Sequence, residues 1–283
     1  MEWVERLNKS MQYIEEHLTG EIDYAQLGKI ACCSTYHFQR MFTYMAGVTL
    51  SEYIRRRKMS QAAVDLQGGG NKIIDVAAKY GYQSPTAFNR AFQSIHGVAP
   101  SAVKTEGVSV KAFLPLTFTL AVKGGAAMDY RIETKEAFQI AGVSEPLYQG
   151  IEQNFMIVPR MWQEAVENGT IQKLAAMIDM PPRGLLGVST CDENEQWRYY
   201  IAVASAQQSE GLETYTVPAC TWAVFAGEGT NQSIQELEQR IVSEWLPTSG
   251  YEYANAPDIE VYLNPDPQNA VFEVWIPVTK ACM

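Results

Sequence analysis

Two stretches of the chain align without a gap at an offset of 50 residues: STYHFQRMFTYMAGVTLSEYI from Ser34 and SPTAFNRAFQSIHGVAPSAVK from Ser84. Seven of the 21 positions are identical, including Ser34/Ser84, Phe38/Phe88, Arg40/Arg90, Phe42/Phe92 and Gly47/Gly97. Average composition gives about one or two matches, so the chain carries one short helix twice. Ser34 and Ser84 are candidate N-caps, and Pro85 stands at the favoured first helical position. Phe38, Met41, Phe42 and Met45 form an apolar stripe at helical spacing, as do Phe88, Ala91, Phe92 and Ile95. Tyr36, Gln39, Arg40 and Thr43 fall on the opposite face of the first copy. Thr86, Asn89, Arg90 and Gln93 do so in the second.

A shorter amphipathic segment precedes each copy, YAQLGKIACCS and DVAAKYGYQS. A short helix, a tight turn and a second helix with an exposed polar face form a helix-turn-helix, whose second helix enters the DNA major groove. Arg suits guanine there, and Gln or Asn suits adenine, because each makes two hydrogen bonds at once. A lone helix of this kind reads more simply as part of a solvated bundle. The duplication, with Arg kept at the same position and Gln or Asn before it, favours a pair of DNA probes. Between them SEYIRRRKMSQAAVDLQ forms a helix whose Arg55, Arg56, Arg57 and Lys58 suit phosphate pairing.

Charge supports this division. The net charge is −10, yet residues 1–107 hold 12 Lys+Arg against 10 Asp+Glu, and residues 108–283 hold 10 against 22. The five cysteines are odd in number, include the vicinal pair Cys32–Cys33 and show no CxxC spacing, which implies neither a disulfide framework nor a zinc site. No signal segment or membrane-length apolar run is evident, so a reduced, cytoplasmic protein is expected.

Residues from about 5 to 107 resemble the DNA-binding domain of AraC/XylS-family transcription regulators, on SEYIRRRKM, IIDVAAKYGY, SPTAFNRAF and HGVAPSAVK. The resemblance implies two helical subdomains joined by a long helix, with recognition helices in successive major grooves. It implies base-facing roles for Tyr36, Gln39 and Arg40 in the first probe and for Pro85, Thr86, Asn89 and Arg90 in the second. Pro85 and Thr86 stand where many members carry longer polar side chains. Cys32 and Cys33 replace the more usual small or aromatic residues, and GGGN at 68–71 is a looser break than the family pattern.

Beyond an extended connector at 108–127, the order strand, helix, strand, strand occurs twice. YRIETKEAFQIAGVSEP, the Trp162 helix, RGLLGVST and QWRYYIAVAS make the first set. LETYTVPACTWAVFAGEG, the Trp245 helix, DIEVYL and AVFEVWIPVTK make the second. The halves are expected to share one antiparallel sheet around a pseudo-twofold axis, with helices on one face and a groove on the other. On the last strand Phe272, Val274 and Ile276 alternate towards the helices. Glu273 lies between apolar neighbours on the opposite side, beside Trp275. It reads either as a strand glutamate reaching solvent or a polar partner, or as the charged group of an aromatic pocket.

Residues from about 128 to 283 resemble a GyrI-like small-molecule-binding domain, on YTVPACTWAVFAGEG, SEWLPTSGYEYANAPDIEVY and FEVWIPV. The resemblance implies a pocket role for Glu273, with Trp275 and Trp222 as aromatic companions and Tyr200 by the internal repeat. The expectation is a multidomain regulator: an all-α double helix-turn-helix at 1–107, a linker at 108–127 and an α+β domain of duplicated βαββ units at 128–283. Its expected partners are promoter DNA, a small-molecule effector, cationic or amphipathic, and RNA polymerase, with no membrane, metal, cofactor or catalytic residue. Two alternatives stay open: a small-molecule hydrolase using Glu as general base, because some GyrI-like domains resemble hydrolases, and a protein-interaction module.

Overall fold

The computed structural model describes residues 2–119, 127–148, 151–191, 196–264, 266 and 269–280. Six helices come first: α1 (Glu2–Glu16), α2 (Tyr24–Ala31), α3 (Thr35–Ala46), α4 (Leu50–Gln67), α5 (Ile73–Lys79) and α6 (Pro85–His96). The repeated residues have one structural role each in both copies. Ser34 Oγ accepts the His37 amide and Ser84 Oγ accepts the Ala87 amide, so both serines are N-caps. Phe38, Phe42, Phe88 and Phe92 are all buried. Gly47 and Gly97 have φ of 67° and 77°, the left-handed conformation that ends a helix at little cost only for glycine.

The chain divides into two compact units, Met1–Ala31 with Ala46–Ala121, and Cys32–Met45 with Val122–Met283. Helix α3 therefore belongs with the C-terminal half. In the first unit α4, α5 and α6 close over Met59, Leu66, Val76, Phe88, Phe92 and Ile95. The basic run on α4 is divided among different tasks. Arg57 is buried and bonds both carboxylate oxygens of Glu15, Nη2 at 2.6 Å and Nε at 2.9 Å. Arg55 and Arg56 share Glu52 one turn away. The connector from 108 to 119 has no helix or strand and is tied to this unit, with Phe113 N on Ser60 Oγ at 2.9 Å and Phe118 N on Asn8 Oδ1 at 2.8 Å. The rest of the expected linker, 120–126, lies outside the described residues.

The second unit is built on strands β1 (Tyr130–Lys135), β2 (Phe138–Leu147), β3 (Leu185–Cys191), β4 (Trp197–Ala204), β5 (Glu213–Val217), β6 (Cys220–Gly229), β7 (Tyr251–Tyr253), β8 (Asp258–Asn264) and β9 (Ala270–Lys280). Their order is β1-β6-β9-β8-β3-β4-β2-β5, with β7 on β9, and the pairings are antiparallel. Reversing the order exchanges the two βαββ sets, with β3 and β8 at the centre. Two expected strands are each split. The YRIETKEAFQIAGVSEP segment becomes β1 and β2, and LETYTVPACTWAVFAGEG becomes β5 and β6. Each set lends its first strand to the other's edge, β1 to β6 and β5 to β2. The second break falls at Pro218, which has no amide to donate to a ladder.

Helices α7 (Ile151–Glu167), α8 (Thr170–Ala175) and α9 (Asn231–Arg240) accompany the sheet, and α9 continues into a wider π-type turn at Ile241–Trp245. Met161, Ala165 and Leu174 pack with Leu185, Tyr199 and Ile201 on one sheet face. The opposite face is filled by Trp222, Trp275, Tyr200, Val224, Ile259 and Val261. These rings are buried on the face where a groove was expected.

Candidate functional site

A cavity of about 670 Å³ lies on the helix side of the sheet, between α7 and α9. Val158, Pro159 and Trp162 of α7 form one wall, and Ile234 and Glu238 of α9 another. Ser189, Tyr199, Glu260 and Tyr262 rise from β3, β4 and β8, while Tyr36, Arg40 and Tyr44 reach in from α3. The periodicities place these groups. Tyr36, Arg40 and Tyr44 are spaced four apart and share one helix face. Asp258, Glu260 and Tyr262 alternate along β8 and so share one strand face.

Arg40 is the focus of this arrangement. Its guanidinium bonds Glu238 through Nη2 and Asp258 through Nη1 at 3.2 Å, and its Nε reaches the Tyr44 hydroxyl at 3.3 Å. Glu260 Oε1 is 3.8 Å from Nη2. The guanidinium also sits 6.0 and 5.7 Å from the Tyr36 and Tyr44 ring centres, within cation–π range. The second oxygen of Glu238 accepts the Tyr44 hydroxyl. Glu260 Oε2 accepts Tyr262 at 2.9 Å and Tyr199 at 3.3 Å, and Trp162 Nε1 donates to Tyr199 at 3.0 Å. Three carboxylates thus converge on one guanidinium. His37 adds a ring nitrogen 3.2 Å from Asp258 and stacks on Tyr253 at 4.2 Å.

Burial and charge compete here. Burial pushes the Glu260 carboxyl up to about 7, Glu238 adds to the rise, and Arg40 and the two tyrosine hydroxyls oppose it. Burial also acts to raise Asp258, but His37 and Arg40 outweigh it and hold that group below its ordinary range. Burial disfavours the Arg40 charge, and Glu238 leads the groups that outweigh it.

The first expected probe is therefore not an exposed face. Gln39 is 1 % exposed, the Arg40 side chain 13 %, and Tyr36 donates to Ser189 at 3.0 Å. The second probe is placed differently: Pro85, Thr86 and Arg90 are exposed and Asn89 is half-buried. The expected ligand set Glu273, Trp275, Trp222 and Tyr200 lies outside the cavity lining. Glu273 bonds Arg131 Nη1 at 2.9 Å and accepts Trp275 Nε1 at 2.8 Å. Trp222 is fully buried, and Trp275 and Tyr200 nearly so.

The family description "GyrI-like small molecule binding domain" matches residues 128–279, and "Helix-turn-helix domain" matches 27–106. The chain is 33% identical over 95 residues to the HTH-type transcriptional activator AarP of Providencia stuartii, covering 34% of this chain and 70% of that protein. An uncharacterized HTH-type transcriptional regulator, YbfP of Bacillus subtilis (strain 168), is 31% identical over 105 residues, 37% of this chain and 36% of its own length. The right origin-binding protein of Escherichia coli (strain K12) is 24% identical over 290 residues, covering 95% of this chain and 96% of that one. Among the described residues no helix is long and apolar enough to cross a membrane, and no three His, Cys, Asp or Glu are grouped to hold a metal. The chain belongs to the GyrI-like family of small-molecule-binding domains, carried here behind an AraC-type helix-turn-helix domain of transcription regulators.

Proposed function

We propose that the chain is a DNA-binding transcription regulator whose effector is an organic cation with an apolar body, bound in the cavity between α7 and α9. The convergence of Glu238 and Glu260 at one end of an aromatic-walled cavity, with buried Asp258 joining them on Arg40, carries this reading. A cation gains from the carboxylates and from tyrosine faces in a partly desolvated site, while Trp162, Val158 and Ile234 suit an apolar body. The Glu273 face offers less, since Trp222, Trp275 and Tyr200 there are buried and lie outside the cavity lining.

DNA reading is assigned to the two repeated helices. Thr86, Asn89 and Arg90 of α6, behind Pro85, carry one half of the site, and Tyr36, Gln39 and Arg40 of α3 the other. Promoter DNA and RNA polymerase are the corresponding partners. Selection of bound duplexes from a random pool, using the full chain, tests the DNA assignment. Two half-sites about one helical turn apart are expected. Salt-sensitive binding without a sequence motif refutes it. Titration with benzamidinium, followed by tryptophan fluorescence, tests the effector assignment. Saturable binding lost in Glu238→Gln is expected, and binding untouched by that change refutes the cavity as its site.

A further inference from the structure

The groups that bind Arg40 are the same groups a cationic effector needs. Glu238 offers Oε1 and Asp258 offers Oδ2, and both accept the guanidinium of Arg40. Glu238 Oε2 is engaged by Tyr44 and Glu260 Oε2 by Tyr199 and Tyr262, while Asp258 Oδ1 faces His37 at 3.2 Å and Glu260 Oε1 faces Arg40 at 3.8 Å. A second cation entering the acid cluster therefore meets acceptors already held by Arg40. The recognition pattern is also specific. Nη1, Nη2 and Nε each find a separate acceptor in a fixed fork, which a planar N–H donor reproduces and a quaternary ammonium does not.

Gln39 Nε2 and His37 Nδ1 are buried without a hydrogen-bond partner among the described residues. Each unmade bond weakens the docked arrangement and is relieved by exposure to water. Helix α3 is held through Arg40, Tyr44, Tyr36 and His37, while these two buried polar atoms gain partners only when it is exposed to water. While it is held, Gln39 and Arg40 cannot reach bases.

We infer that the acid cluster is a receptor for a planar N–H donor cation, an amidinium or guanidinium, and that Arg40 of the DNA-reading helix is its built-in occupant. The inference rests on the effector-cavity reading above and adds direct competition. An amidinium ligand takes the Glu238 and Asp258 acceptors, Arg40 leaves, and α3 becomes available to DNA. Ligand and helix exclude each other at one site, so the coupling needs no relay through distant elements.

The test compares benzamidinium with benzyltrimethylammonium, which has the same ring and charge but no N–H donor. Both are titrated into the full-length wild type and into Arg40→Met. The expected result is benzamidinium binding at least tenfold tighter to Arg40→Met than to wild type, with benzyltrimethylammonium at least tenfold weaker than benzamidinium on that variant. Equal benzamidinium affinity for wild type and variant overturns the competition and leaves the cavity reading standing. Equal binding of the two cations overturns the N–H specification. Failure of both proteins to bind either cation removes the cavity reading as well. Hydrogen exchange on the wild type does not depend on the variant's folding: saturating benzamidinium should raise exchange across 37–45, and unchanged protection there overturns the inference.

Discussion

Arg40 and Arg90 occupy the same position of a repeated helix, yet one is enclosed by acid and the other is exposed. Arg90→Ala is expected to weaken binding to a selected duplex by about 1–3 kcal/mol and to relax preference at one base position, read by competition with single-base variants of the site. A different residue-scale test falls at Gly187, where a Cβ would lie 2.2 Å from the Tyr199 hydroxyl and 2.8 Å from Glu260 Oε2. Gly187→Ala should displace that pair and cost about 1–3 kcal/mol in urea unfolding. The repeat made Arg40 legible as a singled-out residue, but not its surroundings. Glu238, Asp258 and Glu260 are scattered in sequence, and only the topology brings them together. Asp258, Glu260 and Tyr262 alternating within DIEVYLN was the available signal, since three polar or aromatic groups there share one strand face. Glu273 stands out because its neighbours are apolar, and in the fold it pairs with Arg131 on β1, across the intervening strand β6.

Helices were the most legible elements, because the 3.6-residue period, the serine caps and the terminal glycines all agree. The strand count was less so. Nothing in the alternation of residues 130–147 reveals that its first part pairs with β6 and its second with β4 and β5. Such exchanges are set by tertiary pairing, which local pattern does not encode. The basic run on α4 is a similar case, because its charges read alike while their partners differ. Arg57 is part of the first unit's interior, where Glu15 neutralises it. Glu15→Gln should therefore destabilise the chain by about 3 kcal/mol in urea unfolding, because it leaves a buried guanidinium without its counter-ion. Arg55→Gln, at an exposed position, should change stability by less than about 0.5 kcal/mol.

At the scale of the whole molecule, the proposed competition links effector binding to DNA binding through α3, and linkage would make each depend on pH. Glu260 faces Glu238 from α9, Arg40 from α3, Tyr199 from β4, and Tyr262 and Asp258 from β8, and its carboxyl is raised to about 7. The fold holds that proton above the ordinary carboxylate range, so the stability this group contributes is full at low pH and is lost as pH rises through about 7. Cation binding runs the other way, since it favours the ionised group. Benzamidinium affinity should rise severalfold between pH 6 and pH 8 in wild type and stay flat in Glu260→Gln, measured by calorimetric titration. The competition between cation and α3 is read most directly from the affinity of the full chain for its selected duplex, with and without saturating benzamidinium, in wild type and Glu238→Gln. Wild type is expected to bind DNA at least tenfold more tightly when the cation is present. Glu238→Gln is expected to bind tightly already and no longer to respond. An unchanged affinity, or the same response in both proteins, would contradict that competition.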